Sequence, residues 1–307
     1  MHTKSSLRGY VLIFTAAILY GTYGVWSKLM GTDFGPFYQG WVRSLLIILM
    51  LVPFMMATKS FVPIKREDWK ALGIFIAFCV CTQAPLYYAF NNAPLGTVQL
   101  AFYSLFIITA YIVGRFYLGE TITRVKLISI ALAFLGLVIV FGNAVIVFAP
   151  LGLLLAMFNG VASGAEVASS KKLEKYPPIL IVFWGWVFTL ITHLPLSLLV
   201  GEEQVAIHFN EAWLWLVVYS VVNGLTFWMA IKGFQMVDAS IGSLIGLLEI
   251  VWAAVFGAIL FDEALGWSIY VGGALIIVAA MLPDLLNVIH HRRTKEPVEP
   301  VRELGID

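Results

Sequence analysis

The chain has 307 residues, of which 61% are hydrophobic and only 12% charged, and its net charge is +1. A soluble protein of this length carries about twice that charge, so a mean hydropathy of +0.91 places the chain in a bilayer. The near-neutral balance argues against a nucleic-acid partner. Cys79 and Cys81, two apart in an apolar run, supply neither a disulfide framework nor a metal site.

A membrane helix needs about 20 mostly apolar residues. Breaks at charges, prolines and Gly/Asn clusters predict ten: 9–28, 36–58, 70–90, 95–117, 125–143, 150–171, 178–200, 212–235, 239–261 and 267–289. The first reads as a span, because it lacks a small-residue cleavage site after a short apolar core. Asn91 to Pro94 separates the third and fourth spans, and the uncharged stretch Asn143 to Pro150 separates the fifth and sixth. The polar tail, 290–307, holds Pro297 and Pro300 and is expected to be disordered; His290 to Arg293 reads as an anchor at the lipid headgroups.

The middle break is also the middle of a duplication. Sliding the sequence by 143 residues lays Leu105, Ile107, Ala110, Gly114, Glu120, Ala131 and Leu132 on Leu248, Ile250, Ala253, Gly257, Glu263, Ala274 and Leu275. The same offset lays Gly21, Ser27, Lys28 and Trp41 on Gly164, Ser170, Lys171 and Trp184. One offset serving both ends of a half points to a repeated unit, 1–146 and 147–289. With the N-terminus in the cytoplasm, 17 of the 19 basic residues fall inside, and only Lys28 and Arg43 fall toward the outside. Both termini are then cytoplasmic. Five spans per half is odd, so the halves cross the membrane in opposite senses, a construction common in secondary transporters.

The motifs at the ends of spans four and nine, Leu118-Gly119-Glu120-Thr121-Ile122-Thr123 and Phe261-Asp262-Glu263-Ala264-Leu265, resemble a signature of the drug/metabolite transporter superfamily, in its EamA-like ten-helix branch. Tyr20-Gly21 with Lys28, Arg43 early in span two, and Leu248-Glu249 in span nine match that pattern too, with Ile250 where a proline often follows. The resemblance implies a basket of two inverted five-helix repeats that transports small metabolites, and it implies export.

An ionised side chain at the centre of a span costs roughly 2.5–3.5 kcal/mol, so such groups turn to the bundle interior. In span nine Gly242, Gly246, Glu249 and Ala253 form one stripe. The glycines suit helix packing or a ligand, and Glu249 a ligand, a proton or a neighbouring donor. Their repeat partners Gln99 and Tyr103 supply polar and aromatic groups in span four. Tyr20, Tyr23, Gly24 and Ser27 share a face of span one, and Asn159, Ser163, Glu166 and Ser170 share one of span six. Glu166 either faces the pathway or neutralises Lys171 or Lys172. Gln83 and Tyr87 are candidates in span three, Asn223 and Phe227 in span eight, while Trp228 and Trp252 suit packing as well as ligand contact. Arg43 has Glu249, Glu120, a helix end or a solute carboxylate as partner. His193 reads as a satisfied core histidine, Trp184 and Trp186 as an interfacial belt, and Glu120 and Glu263 as caps or inter-helix bonds.

The expectation is an all-α integral membrane protein of ten transmembrane helices, two inverted five-helix repeats, in a bacterial inner membrane. It would move small amphiphilic or zwitterionic, amino-acid-like metabolites by alternating access. Tyr20, Tyr23, Gln83, Tyr87, Gln99, Tyr103, Asn159, Asn223, Gly246 and Glu249 are the expected substrate contacts, with Glu249, Glu166 and Arg43 as the proton or charge relay. The bilayer and a small-molecule solute are the expected partners, a homodimer is left open, and no cofactor or metal is expected. An uncoupled facilitator or channel, or a membrane scaffold, is the alternative. An enzyme is disfavoured, since H-E-x-x-H, G-x-S-x-G and paired aspartates within the spans are all missing.

Overall fold

The computed structural model describes residues 3–30, 33–92, 95–141, 150–207, 210–261 and 266–293. The expected central break, the Asp262 to Leu265 motif with Glu263, and the tail from 294 lie outside these residues, as does the side chain of Lys28. All regular elements among the described residues are helical: α1 Thr3–Gly21, α2 Tyr23–Met30, α3 Pro36–Ala57, α4 Trp69–Val80, α5 Gln83–Asn92, α6 Leu95–Phe116 and α7 Arg124–Phe141, then α8 Pro150–Ser169, α9 Pro178–Val200, α10 Glu211–Phe234, α11 Ala239–Gly246, α12 Leu248–Phe261 and α13 Trp267–Arg293. Seven segments are long and apolar enough to cross a membrane, and Ala101–Phe116 and Trp267–Pro283 are shorter apolar helices. The protein is a multi-pass membrane protein. Its outward rows, such as Leu194, Leu198, Leu214, Val217, Val221 and Leu225, are apolar and exposed, as lipid requires.

Three expected spans are broken. Span 9–28 divides between α1 and α2 at Thr22, whose Oγ1 donates to the Leu19 carbonyl at 2.6 Å and accepts from Trp26 Nε1 at 2.8 Å. Span 70–90 divides at Cys81 and Thr82. Pro85 has no N–H to give Cys81, and its ring crowds that carbonyl; the next carbonyl, that of Thr82, accepts from Asn159 Nδ2 of α8. Span 239–261 divides at Leu247, where bonds tighten to the i−3 pattern, Leu247 N to Leu244 O at 3.3 Å and Ile250 N to Leu247 O at 3.0 Å.

The helices pack α6 on α8, α7 on α13, α3 on α9, α1 on α10 and α12, and α5 on α8. Small residues set the closest approaches. A Cβ on Gly21 would lie 2.8 Å from Trp252 Cβ and 3.0 Å from the Ala253 nitrogen. A Cβ on Gly164 would collide with the Phe106 carbonyl and lie 3.1 Å from Thr109 Cβ and 3.2 Å from the Ala110 nitrogen. Gly136 and Gly272 bring α7 and α13 together in the same way, each facing the other's carbonyl.

Each end of the bundle has a carboxylate that caps a distant helix. At one end Glu202, just past α9, accepts from Phe37 N at 3.0 Å and Tyr38 N at 2.6 Å in the first turn of α3. At the other, Glu120 accepts from Ala239 N at 2.7 Å, Ser240 N at 3.3 Å and Ser240 Oγ at 3.1 Å at the start of α11. Asp238 occupies the N-cap position of α11 and makes no side-chain cap bond. Its carboxylate goes to Lys126 at 2.8 Å and Lys171 at 3.5 Å.

Candidate functional site

Between the two capped ends lies a cavity of about 560 Å³, lined from α1, α2, α4, α5, α6, α8, α9, α10, α11 and α12. The ten expected substrate contacts, Tyr20, Tyr23, Gln83, Tyr87, Gln99, Tyr103, Asn159, Asn223, Gly246 and Glu249, all line it, and so does Glu166. They face inward because the cost of a polar group in hydrocarbon fixes which face of a span turns to the bundle interior. Arg43 is not on the wall but behind it.

Aromatic rings give the cavity its shape. Tyr20 and Tyr23 meet edge-on with centroids 4.9 Å apart, and Tyr23 meets Tyr219 at the same spacing. Phe102, Tyr103 and Phe106 form a second group on α6. Gly246 leaves room opposite this group: a Cβ there would just touch Phe106 Cε1 at 3.9 Å. Gly242 packs tightly instead, against Phe234 at 2.7 Å. The two glycines of one stripe thus divide between helix packing and cavity.

The break at Leu247 puts Glu249 in the first turn of α12, on the cavity. A helix N-terminus favours a negative side chain there. Neither Glu249 nor Glu166 belongs to any of the ion pairs among the described residues. The expected neutralisation of Lys171 or Lys172 by Glu166 is therefore corrected. Five positions apart on a helix, Glu166 and Lys171 point about 140° apart. Lys171 instead reaches Glu120 at 3.3 Å, Asp238 and the Val237 carbonyl at 2.9 Å, while Lys172 lies over the Tyr117 ring. This network ties α7 and α8 to the start of α11. Burial raises the Asp238 pKa, but the bonds and charges of Lys126 and Lys171 outweigh it and hold the carboxyl below its ordinary value.

Arg43 pairs with neither Glu249 nor Glu120. Its guanidinium is held between the rings of Tyr87, 4.9 Å away, and Tyr219, 4.5 Å away. Nη2 donates to Gln83 Oε1 at 2.8 Å. His193 is buried off the cavity, with Nδ1 at 3.1 Å from the Thr189 carbonyl. Trp228 and Trp252 are not on the wall: Trp228 stacks under Lys232, and Trp252 packs on Phe14 and Gly21.

Trp186 is a correction of another kind. It is only 3% exposed and lines the cavity, so it is no part of an interfacial belt. Eight residues past Pro178, it sits about 12 Å along α9. Cys79, Thr189 and Tyr219 also line the wall and were not singled out. Cys79 and Thr189 read as ordinary residues of apolar runs, whereas Tyr219, four residues before Asn223 on one helix face, carried a usable signal.

The EamA-like transporter family matches residues 7–142 and 150–282, once in each half. Among characterised and curated proteins, the chain is similar to an S-adenosylmethionine uptake transporter of Rickettsia bellii (strain RML369-C), 24% identical over 84% of this chain and 86% of that protein. It is similar to an S-adenosylmethionine uptake transporter of Rickettsia prowazekii (strain Madrid E), 23% identical over 91% and 92%. A protein of known crystal structure shares the fold with a TM-score of 0.75 at 19% identity, covering 93% of this chain and 100% of that one.

Proposed function

The chain belongs to the EamA-like transporter family, and on that footing we propose that it is a secondary transporter working by alternating access on a small amphiphilic or zwitterionic, amino-acid-like metabolite. Family membership makes it a transporter rather than an enzyme. The observation that carries the solute reading is the cavity: aromatic faces, amides and two carboxylates that make no ion pair among the described residues converge where the two family-matched halves meet. Aromatic rings and carboxylates suit a solute with a positive centre and an apolar or aromatic body.

The architecture in this reading is ten spans in two inverted five-helix repeats, with both termini cytoplasmic in a bacterial inner membrane. Two observations support it. Exchanging each span for its counterpart five further on converts α6 on α8 into α11–α12 on α1, and α5 on α8 into α10 on α1, and those contacts are also present. The duplication also pairs Gly21 with Gly164, Trp252 with Thr109 and Ala253 with Ala110. Gly21 faces Trp252 and Ala253, and Gly164 faces Thr109 and Ala110. The same close contact occurs twice, each time between a glycine of one half and a helix of the other.

Export is the direction the family resemblance implies. A second reading, uptake, is favoured by the rickettsial relatives, whose printed names are uptake transporters. Counterflow in proteoliposomes tests the proposal. Vesicles are preloaded with pooled amino acids, then with S-adenosylmethionine, then with pooled sugars and nucleotides, and entry of the labelled solute is followed. Accumulation with amino acids or S-adenosylmethionine is the expected result. Silence in every pool from folded protein would refute a carrier of this solute class.

A further inference from the structure

Arg43 is 0% exposed, seven residues into α3, and an arginine is always charged. A buried charge normally comes with an anion, yet none of the ion pairs among the described residues includes it. Its Nη1 is buried without a hydrogen-bond partner. The three side chains that hold it, Gln83, Tyr87 and Tyr219, are also cavity wall. Two cavity hydroxyls beside it, those of Tyr87 and Tyr23, are buried and make no hydrogen bond of good geometry. One region of the wall therefore presents a positive charge without an anion and two hydroxyls whose neighbours, Thr226 for Tyr23 and Tyr219 for Tyr87, leave them short of a well-formed hydrogen bond.

The carboxylates lie elsewhere on the wall. Arg43 is about 10 Å along α3 from the end that Glu202 caps, whereas Glu166 is about 8 Å along α8 from Lys171 at the opposite end. Glu249 lies between, in the first turn of α12. The cavity is thus polarised along the bundle.

We infer that Tyr23 and Tyr87, backed by Arg43, form a subsite for the carboxylate of a zwitterionic solute, whose positive centre faces Glu249 and Glu166. The inference rests on the transporter reading of the cavity as the solute site and adds the direction in which the solute lies. The hydroxyls make the contact. The guanidinium, on the far side of the Tyr87 and Tyr219 rings, sets the sign of the field there. Arg43 is a positioning residue, and the opposite orientation would set the solute carboxylate against Glu249.

A measurement that needs no transport tests this. The melting temperature of the purified full-length protein is followed while sodium acetate is titrated in at constant ionic strength, beside acetamide, which has the shape without the charge, and beside chloride. At about ten times its dissociation constant acetate should raise the melting temperature by about 3–5 °C, with acetamide inert. Tyr87→Phe keeps the ring against the guanidinium and removes only the hydroxyl, and should weaken the acetate response at least about fivefold in midpoint concentration. Arg43→Gln should abolish it, and Arg43→Lys should retain part of it.

No acetate response in the wild type, an equal response to acetamide, an unchanged response in Tyr87→Phe, or a response to chloride alone would each overturn the assignment. A saturable acetate shift in a protein silent in every counterflow pool would sink the proposed solute class and leave the subsite standing.

Discussion

Replacing Glu120 by alanine should destabilise the protein severely although the residue is remote from the cavity. Its carboxylate accepts two backbone N–H groups and one hydroxyl from the first turn of α11, and it meets Lys171. Losing an N-cap acceptor costs about 1 kcal/mol, and hydrogen bonds to a charged group contribute about 1.5–3 kcal/mol each. Lys171 keeps Asp238 and the Val237 carbonyl, so the unsatisfied groups are those of α11 alone. Counting the cap once and a single charged hydrogen bond, the loss is about 2.5–4 kcal/mol, or roughly 5–16 °C in melting temperature at about 2–4 °C per kcal/mol. Glu120→Gln keeps one acceptor oxygen and should lose about half as much.

Gly114 provides an internal control. A Cβ there would lie 2.9 Å from Glu120 Oε2 and 3.2 Å from its Cδ, so Gly114→Ala must push the carboxylate from its seat. The alanine should cost about 1–2 kcal/mol in the wild type and close to nothing beside Glu120→Ala, because neighbours sharing one interaction are not additive. Thermal unfolding of the two single variants and the double variant in one detergent checks the cycle. A Glu120→Ala protein melting within about 1 °C of wild type, or fully additive losses, would refute the assignment of Glu120 as the cap of α11.

Glu249→Gln should abolish flux driven by a pH gradient and weaken, without abolishing, counterflow exchange, since the amide keeps an oxygen toward the solute and loses the charge; proteoliposome assays of both kinds check it, and pH-driven flux equal to wild type would remove Glu249 from coupling. Gly164→Val should prevent correct packing of α8 on α6, since even a Cβ collides with the Phe106 carbonyl; size-exclusion profiles after expression should show aggregate, while Gly73→Ala, with open space around it, should behave as wild type. The Asp238 carboxyl is held below its ordinary value, so its stabilisation is complete above the unfolded-state pKa and is lost as pH falls through the folded one. Asp238→Asn should therefore lower the melting temperature at neutral pH and narrow the gap to wild type progressively on acidification, which a melting series over pH reads directly.

The inward faces of the spans were legible because hydrocarbon penalises polar groups independently of any neighbour: Gln83, Asn159 and Glu249 had to point inward whatever packed on them. Partners were not legible. The α11 start that Glu120 caps is 119 residues away, and Asp238, one residue before α11, goes to Lys126 and Lys171 rather than to its own helix. Glu166 and Lys171 were paired by proximity in sequence, but helix geometry separates them. Trp186 resembled a belt residue because tryptophan is common at interfaces, although the span start at 178, expected and observed alike, already sets it about two turns deep.

The broken spans join these observations. Prolines at 53, 195 and 283 sit inside α3, α9 and α13 without dividing them. The divisions at Thr22, at Cys81 and Thr82, and at Leu247 have only Pro85 among them. What they share is the cavity: Tyr20 and Tyr23 flank the first, Cys79 and Gln83 the second, Gly246 and Glu249 the third. Non-helical backbone in a bilayer survives only where protein or a polar cavity satisfies its freed groups, and here Thr22, Asn159 and the tightened turn at Leu247 do so. Packing alone gives no reason for three such interruptions to converge on one place, or for two carboxylates to lie beside them without a base. The proposed solute site supplies one: the breaks set the depth at which Glu249 and the tyrosines meet on a single wall.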